Sequence, residues 1–112
     1  MMGTFKVLFL HEAIDFLERL DAKSRRKVLF NLNKMCLKND VELLKKIHNN
    51  IWEFRTLYAN SHIRIFAFWD KSMKEEYRLI FTHGIIKQSK KVPMIEIRKA
   101  EKIRRIFLHI SQ

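Results

Sequence analysis

Ile51-Trp52-Glu53-Phe54-Arg55-Thr56-Leu57-Tyr58, then Ala59-Asn60, then Ser61-His62-Ile63-Arg64-Ile65-Phe66-Ala67-Phe68-Trp69 is the stretch whose reading decides the fold. Its first half alternates with a period of two, the signature of a strand with two unlike faces. Trp52 and Phe54 share one face, which the pattern assigns to the core, and Glu53 and Arg55 share the other. Tyr58-Ala59-Asn60-Ser61 reads as a hairpin turn, so His62 to Trp69 returns as a second strand. A polar connection over residues 70–76 leads into a third, Tyr77 to Ile86. The second and third strands are apolar on both faces in large part, which suits strands covered on one side and partly covered on the other.

Working outward, residues 4–10 form an apolar run of strand length, interrupted only by Lys6. From His11 to Leu20, the residues Ile14, Phe16, Leu17 and Leu20 repeat at helical spacing. Asp21 stands as the N-cap of a second helix. That helix carries Val28, Leu29, Leu32, Met35 and Cys36 along one side and Lys23, Arg25, Arg26, Lys27 and Lys34 along the other. The two helices fit an antiparallel pair. Residues 41–50 read as a helical turn through Leu43 and Leu44, followed by a loop at His48-Asn49-Asn50. Beyond the third strand, Pro93 sits where a helix can start, with Ile97, Ala100, Ile103, Arg104 and Phe107 at helical intervals. The order β-α-α-β-β-β-α predicts an α+β fold: a small antiparallel sheet with two N-terminal helices packed on one face and a C-terminal helix.

The 112 residues fit one domain, 1–112, and carry 23 Lys plus Arg against 12 Asp plus Glu, a net charge of +11. That excess points to polyanions, with nucleic acid ahead of anionic membrane. Two glycines and one proline are too few for a glycine-rich phosphate loop. Cys36 is the only cysteine, so no internal disulfide or thiolate metal cage can form. Its place in the apolar pattern reads as a small buried hydrophobe. The apolar run over residues 5–10 is too short for a signal-peptide core or a membrane span, which leads to the expectation of a soluble, cytoplasmic protein. No paired carboxylates, Ser-His-Asp spacing or metal-ligand cluster stands out, so no metal or other cofactor is expected.

Three features carry chemistry. Glu53 and Arg55 share a strand face, where a solvated ion pair is one reading. Arg64 interrupts an apolar strand, and burying an unpaired guanidinium is costly. It either finds a carboxylate, such as Glu53, or opens into a groove that binds anions. In Thr82-His83-Gly84-Ile85-Ile86-Lys87-Gln88-Ser89-Lys90-Lys91-Val92-Pro93, three lysines gather between a strand end and a helix start, a natural setting for phosphate as well as for a plain solvated cluster.

Residues 51–105 closely resemble the RelE/HigB superfamily of bacterial toxins and, within it, the phage-derived HigB-like branch. The matching positions are Trp52, Glu53, Arg55, Arg64, His83, Gly84, Lys87, Lys91, Pro93, Glu96, Ile97 and Ala100. Three positions depart from the pattern: Ile85 stands for a phenylalanine, Gln88 for a second lysine and Val92 for a threonine. The resemblance implies the toxin of a type II toxin–antitoxin system, an endoribonuclease that cleaves translated mRNA on the ribosome. The reaction it implies is metal-free attack of the RNA 2′-hydroxyl on the adjacent phosphate. The implied partners are the ribosome, mRNA and a cognate antitoxin, a helix-turn-helix protein of HigA type, with no membrane.

Carried onto this chain, the catalytic candidates are Arg55, Arg64, Lys87 and His83. The guanidiniums suit a bidentate grip on phosphate, and Lys87 is a point charge that can also move a proton. His83 has a ring suited to acid–base work but sits within a strand beside Gly84, where a structural role is the favoured reading. His62, His48 and His11 lie near loops or element ends with no partner indicated. Lys90, Lys91, Arg25, Arg26 and Lys27 are candidate RNA contacts. Lys34 on the second helix and Lys99, Lys102, Arg104 and Arg105 on the last are expected to face outward. Gln88 and Ile85 leave a second reading, a catalytically weak or inactive RNA- or ribosome-binding module of the same fold.

Overall fold

A computed structural model describes residues 5–38, 40, 42–89 and 91–110. The elements in chain order are β1 (Phe5–Phe9), α1 (His11–Arg19), α2 (Ala22–Lys38), β2 (Leu44–Lys46), β3 (Trp52–Tyr58), β4 (Ser61–Asp70), β5 (Tyr77–Lys87) and α3 (Met94–Ile110). The chain is mixed α+β as expected, with three differences in architecture. The sheet has five strands in the order β1-β5-β4-β3-β2. It is mixed rather than antiparallel, because β1 runs parallel to β5 from Phe5↔Tyr77 to Phe9↔Phe81. Finally, the expected helical turn at Leu43 and Leu44 gives way to the edge strand β2, which pairs Leu44 with Phe54 and Lys46 with Trp52. Three residues are too few to display an alternation, so burial of Leu44 in the core decides the matter.

The junction between α1 and α2 is fixed by two side chains. Asp21 caps α2 as the sequence suggests: Ser24 donates its N–H to Asp21 Oδ1 at 2.8 Å and its hydroxyl to Oδ2 at 2.9 Å. Arg25 turns back on α1, donating to the carbonyls of Leu17 at 2.9 Å, Glu18 at 3.0 Å and Leu20 at 2.7 Å. Carbonyls at a helix end lack their i+4 donors; Leu17 also accepts the Leu20 N–H at 3.2 Å, and the guanidinium is well matched to the group. At the β3–β4 turn, Ala59 and Asn60 have φ of 50° and 64°, and Tyr58 pairs with Ser61. This is the two-residue turn whose twist suits a hairpin.

The two faces of the sheet are covered by different helices. On one, Ala13 and Phe16 of α1 and Val28 and Met35 of α2 pack against Phe54, Ile63, Ile65, Leu79 and Phe81. On the other, Ile97 and Ala100 of α3 pack against Phe66, Phe68 and Ile80. The stripe buried by α2 is Ser24, Val28, Asn31 and Met35. Asn31 can be buried because its amide donates to Thr56 Oγ1 at 3.1 Å. That rotation leaves Leu29 and Cys36 exposed, which corrects the expectation of a buried cysteine.

One irregularity decides which side chains of β5 face α3. The β4–β5 ladder slips between Phe66↔His83 and Ala67↔Phe81, so Thr82 is an extra residue on β5. Before this bulge, Leu79 and Phe81 point toward α1 and α2. After it the parity is reversed. His83 stacks beside Phe66 on the α3 side, ring centroids 5.0 Å apart. Gly84 instead faces α1, where a Cβ would lie 2.3 Å from the Phe16 ring. The absence of a side chain there lets α1 lie close on β5.

Candidate functional site

The strand face that α3 only partly covers holds the charged residues of β3, β4 and β5. The pairs Arg55↔Arg64 and Leu57↔His62 join β3 to β4, and His62↔Lys87 and Arg64↔Ile85 join β4 to β5. Directly opposed residues have Cβ atoms about 5 Å apart, so these side chains form a compact block. A groove of about 270 Å³ opens here, lined by Arg55, Thr56, Leu57, His62, Ile63 and Arg64.

Glu53 organises the floor. Its carboxylate is fully buried and its Oε1 accepts from Arg55 Nε at 2.6 Å and from Arg64 Nη1. Arg64 therefore finds the carboxylate, the first of the two readings left open by the sequence, and it also lines the groove. Its side chain is only 4% exposed, whereas that of Arg55 is 45% exposed. Among the described residues Arg55 is bound through Nε alone, which leaves both terminal nitrogens of its fork for a ligand. One carboxylate stands against two guanidiniums, so the floor keeps a net positive charge. Among the described residues, Glu53 Oε2 and Arg64 Nε are buried without a hydrogen-bond partner.

The other candidates divide by position. Lys87 ends β5 on the groove face, half-buried, opposite His62. His83 is not part of the groove lining. It is buried against α3, with Nε2 3.0 Å from Glu96 Oε1 and Nδ1 2.9 Å from Thr82 Oγ1. Burial pushes its pKa below the usual imidazole value; the hydrogen bond to Glu96 opposes this and the charge of Lys99 adds to it. A neutral ring can donate from Nε2 to the Glu96 carboxylate, with Nδ1 beside the Thr82 hydroxyl, whose single hydrogen is shared between Nδ1 and the Phe66 carbonyl 3.3 Å away.

Of the outer cations, Lys91 and Arg26 are exposed and Lys27 lies with its Nζ 5.2 Å from the Phe30 ring centroid. Arg25 is turned inward onto the end of α1, not outward. Lys90 lies outside the described residues. On α3, Lys99 pairs with Glu12 at 2.7 Å and Arg104 with Glu101 at 2.8 Å.

Two features of the site were not read from the sequence. His62 shares its face with Arg64, which the two-residue spacing already implied. The Glu96 partner of His83 lies on another element, and no local signal announces it. Among the described residues, no group of three or more His, Cys, Asp or Glu side chains is arranged to hold a metal ion. No helix there is long and apolar enough to cross a membrane.

Residues 15–105 match the family model described as "Phage derived protein Gp49-like (DUF891)". No curated protein matches the chain.

Proposed function

Because this chain belongs to the phage-derived Gp49-like family, which is associated with RelE/HigB-like toxins, we propose that it is the toxin of a type II toxin–antitoxin pair and an endoribonuclease of the HigB-like branch. Its substrate is mRNA under translation on the ribosome, and its antitoxin is a HigA-like helix-turn-helix protein. The observation that carries this reading is the groove floor, where Glu53 holds Arg55 and Arg64 with a surplus of positive charge.

Cleavage by the neighbouring 2′-hydroxyl accumulates charge on the phosphate oxygens. Cations fixed beforehand in a partly desolvated groove stabilise that charge without reorganising during the step. Arg55 offers its free fork to the phosphate, while Arg64 supplies charge from below. Lys87 adds a third cation beside them. Guanidinium and ammonium groups repel a divalent ion, so the lining favours phosphate directly and the reading routes no step through a metal. Arg26, Lys27 and Lys91 provide charge for holding structured RNA, and Lys90 belongs with them by sequence.

Tightly controlled expression tests the reading. The expected result is growth arrest with new 5′ ends inside translated messages, abolished by Arg55→Ala. Wild-type protein that leaves growth and messages intact overturns it. The second reading, a non-cleaving ribosome binder, rests on Gln88, whose amide only reaches Ser61 Oγ at 3.5 Å. Ribosome association without new 5′ ends would support that reading.

A further inference from the structure

We infer that His62 is the group that takes the 2′-hydroxyl proton, a role the sequence pattern gave no reason to assign to it; the inference rests on the ribonuclease reading. The groove needs a base that is free, uncharged near neutrality and beside the phosphate-holding cations. The guanidiniums of Arg55 and Arg64 carry donors only and have no lone pair to accept a proton. Glu53 is fully buried and its Oε1 already accepts from both guanidiniums. His83 is buried away from the groove lining with both ring nitrogens engaged, by Thr82 and by Glu96.

His62 is placed differently. It is half-buried, it lines the groove, and it is the only imidazole among the lining residues. It sits two residues before Arg64 on the same strand face, a separation of about 7 Å along the strand. The residue opposite it on β3 is Leu57, itself 60% exposed. The residue opposite it on β5 is Lys87. The charged groups facing it are thus Arg55 on β3, Arg64 on its own strand and Lys87 on β5, with Glu53 beneath the arginines. An imidazole is the side chain whose titration ordinarily falls nearest neutral pH.

The step balances as follows. Neutral His62 accepts the proton of the 2′-hydroxyl as the 2′-oxygen forms its bond to phosphorus. The bond from phosphorus to the 5′-oxygen breaks, its electron pair leaving with that oxygen, which takes a proton from the Lys87 ammonium. The products are a 2′,3′-cyclic phosphate and a 5′-hydroxyl. His62 then returns its proton to water and Lys87 recovers one.

The test is a single-turnover cleavage assay on ribosomes programmed with a defined mRNA, run from pH 5.5 to 8.5 with wild type, His62→Gln and His62→Ala. Wild type is expected to gain rate with rising pH through the imidazole range and then level off. His62→Gln should lose on the order of 100-fold or more and lose that rising limb, the range general acid–base groups contribute. Its ribosome co-sedimentation and melting temperature should stay close to wild type. Added imidazole should restore part of the His62→Ala rate, which separates lost chemistry from lost folding. Cleavage by His62→Gln within about threefold of wild type, with the same pH limb, overturns the inference and leaves the ribonuclease reading standing. Wild-type protein that cleaves nothing overturns both.

Discussion

The two faces of the sheet use the same strands and meet the demands of burial in opposite ways. Toward α1 and α2 the contacts are apolar, and the close fit of Phe16 on Gly84 fixes the helix on β5. Toward α3 the apolar part ends near Phe66, and beyond it lie Arg55, Arg64, His62 and Lys87. Replacing a buried ion network by apolar residues of similar volume is often neutral or stabilising. Stability alone therefore gives no reason for Glu53 and Arg64 to sit under an open groove. The first face holds the molecule together, and the second holds charge in place.

The sharpest way to break that contrast is to remove the carboxylate. Glu53→Ala leaves Arg64 buried with no counter-charge and should cost about 3–5 kcal/mol in urea unfolding, the range for breaking a buried pair on one side. The double variant Glu53→Ala/Arg64→Met should recover much of that loss while remaining inactive. If Glu53→Ala alone lowers stability by less than about 1 kcal/mol, the pair is solvated and the groove floor is not the preorganised one described.

The apolar face has its own test, of smaller size. Gly84→Ala drives a methyl group into the Phe16 ring and should cost about 1–3 kcal/mol, as overpacking does. Phe16→Leu in the same chain should return part of it. An unchanged melting temperature in Gly84→Ala would mean that α1 can ride away from β5 without cost, and that the two faces do not differ in tightness as described.

The contrast also shows where the sequence was legible. Strand alternation put Glu53 and Arg55 on one face, and the hairpin turn and the Asp21 cap were readable because each is written in adjacent residues. The pairing of β1 with β5 was hidden, since a short apolar run carries no mark of its distant partner. The bulge at Thr82 was hidden too. Strict alternation from Leu79 would send His83 and Lys87 toward α1, and only the extra residue returns them to the groove side. Arg25 could not be told from its cationic neighbours, because the carbonyls it caps belong to the preceding helix.

The smallest expected effect concerns the seam between the faces, where His83 ties β5 to Glu96 of α3. Burial lowers its pKa below the ordinary 6.5, with Glu96 and Glu12 opposing and Lys99 reinforcing. The unfolded chain therefore binds a proton at a pH where the folded protein does not. Stability from this group is complete above pH 6.5 and falls as the pH drops below it, by at most about 1.4 kcal/mol per pH unit. Glu12, Asp21 and Asp70 also have lowered pKa values, but from ordinary values of 4.5, 3.8 and 3.8, so they act in a more acidic window. Chemical denaturation between pH 7 and pH 5 should thus show wild type weakening more than His83→Gln, which keeps a polar group but has no proton to gain. Parallel slopes for the two proteins would mean that the ring stays charged against Glu96, and that α3 is joined to the sheet by an ion pair instead of a neutral hydrogen bond.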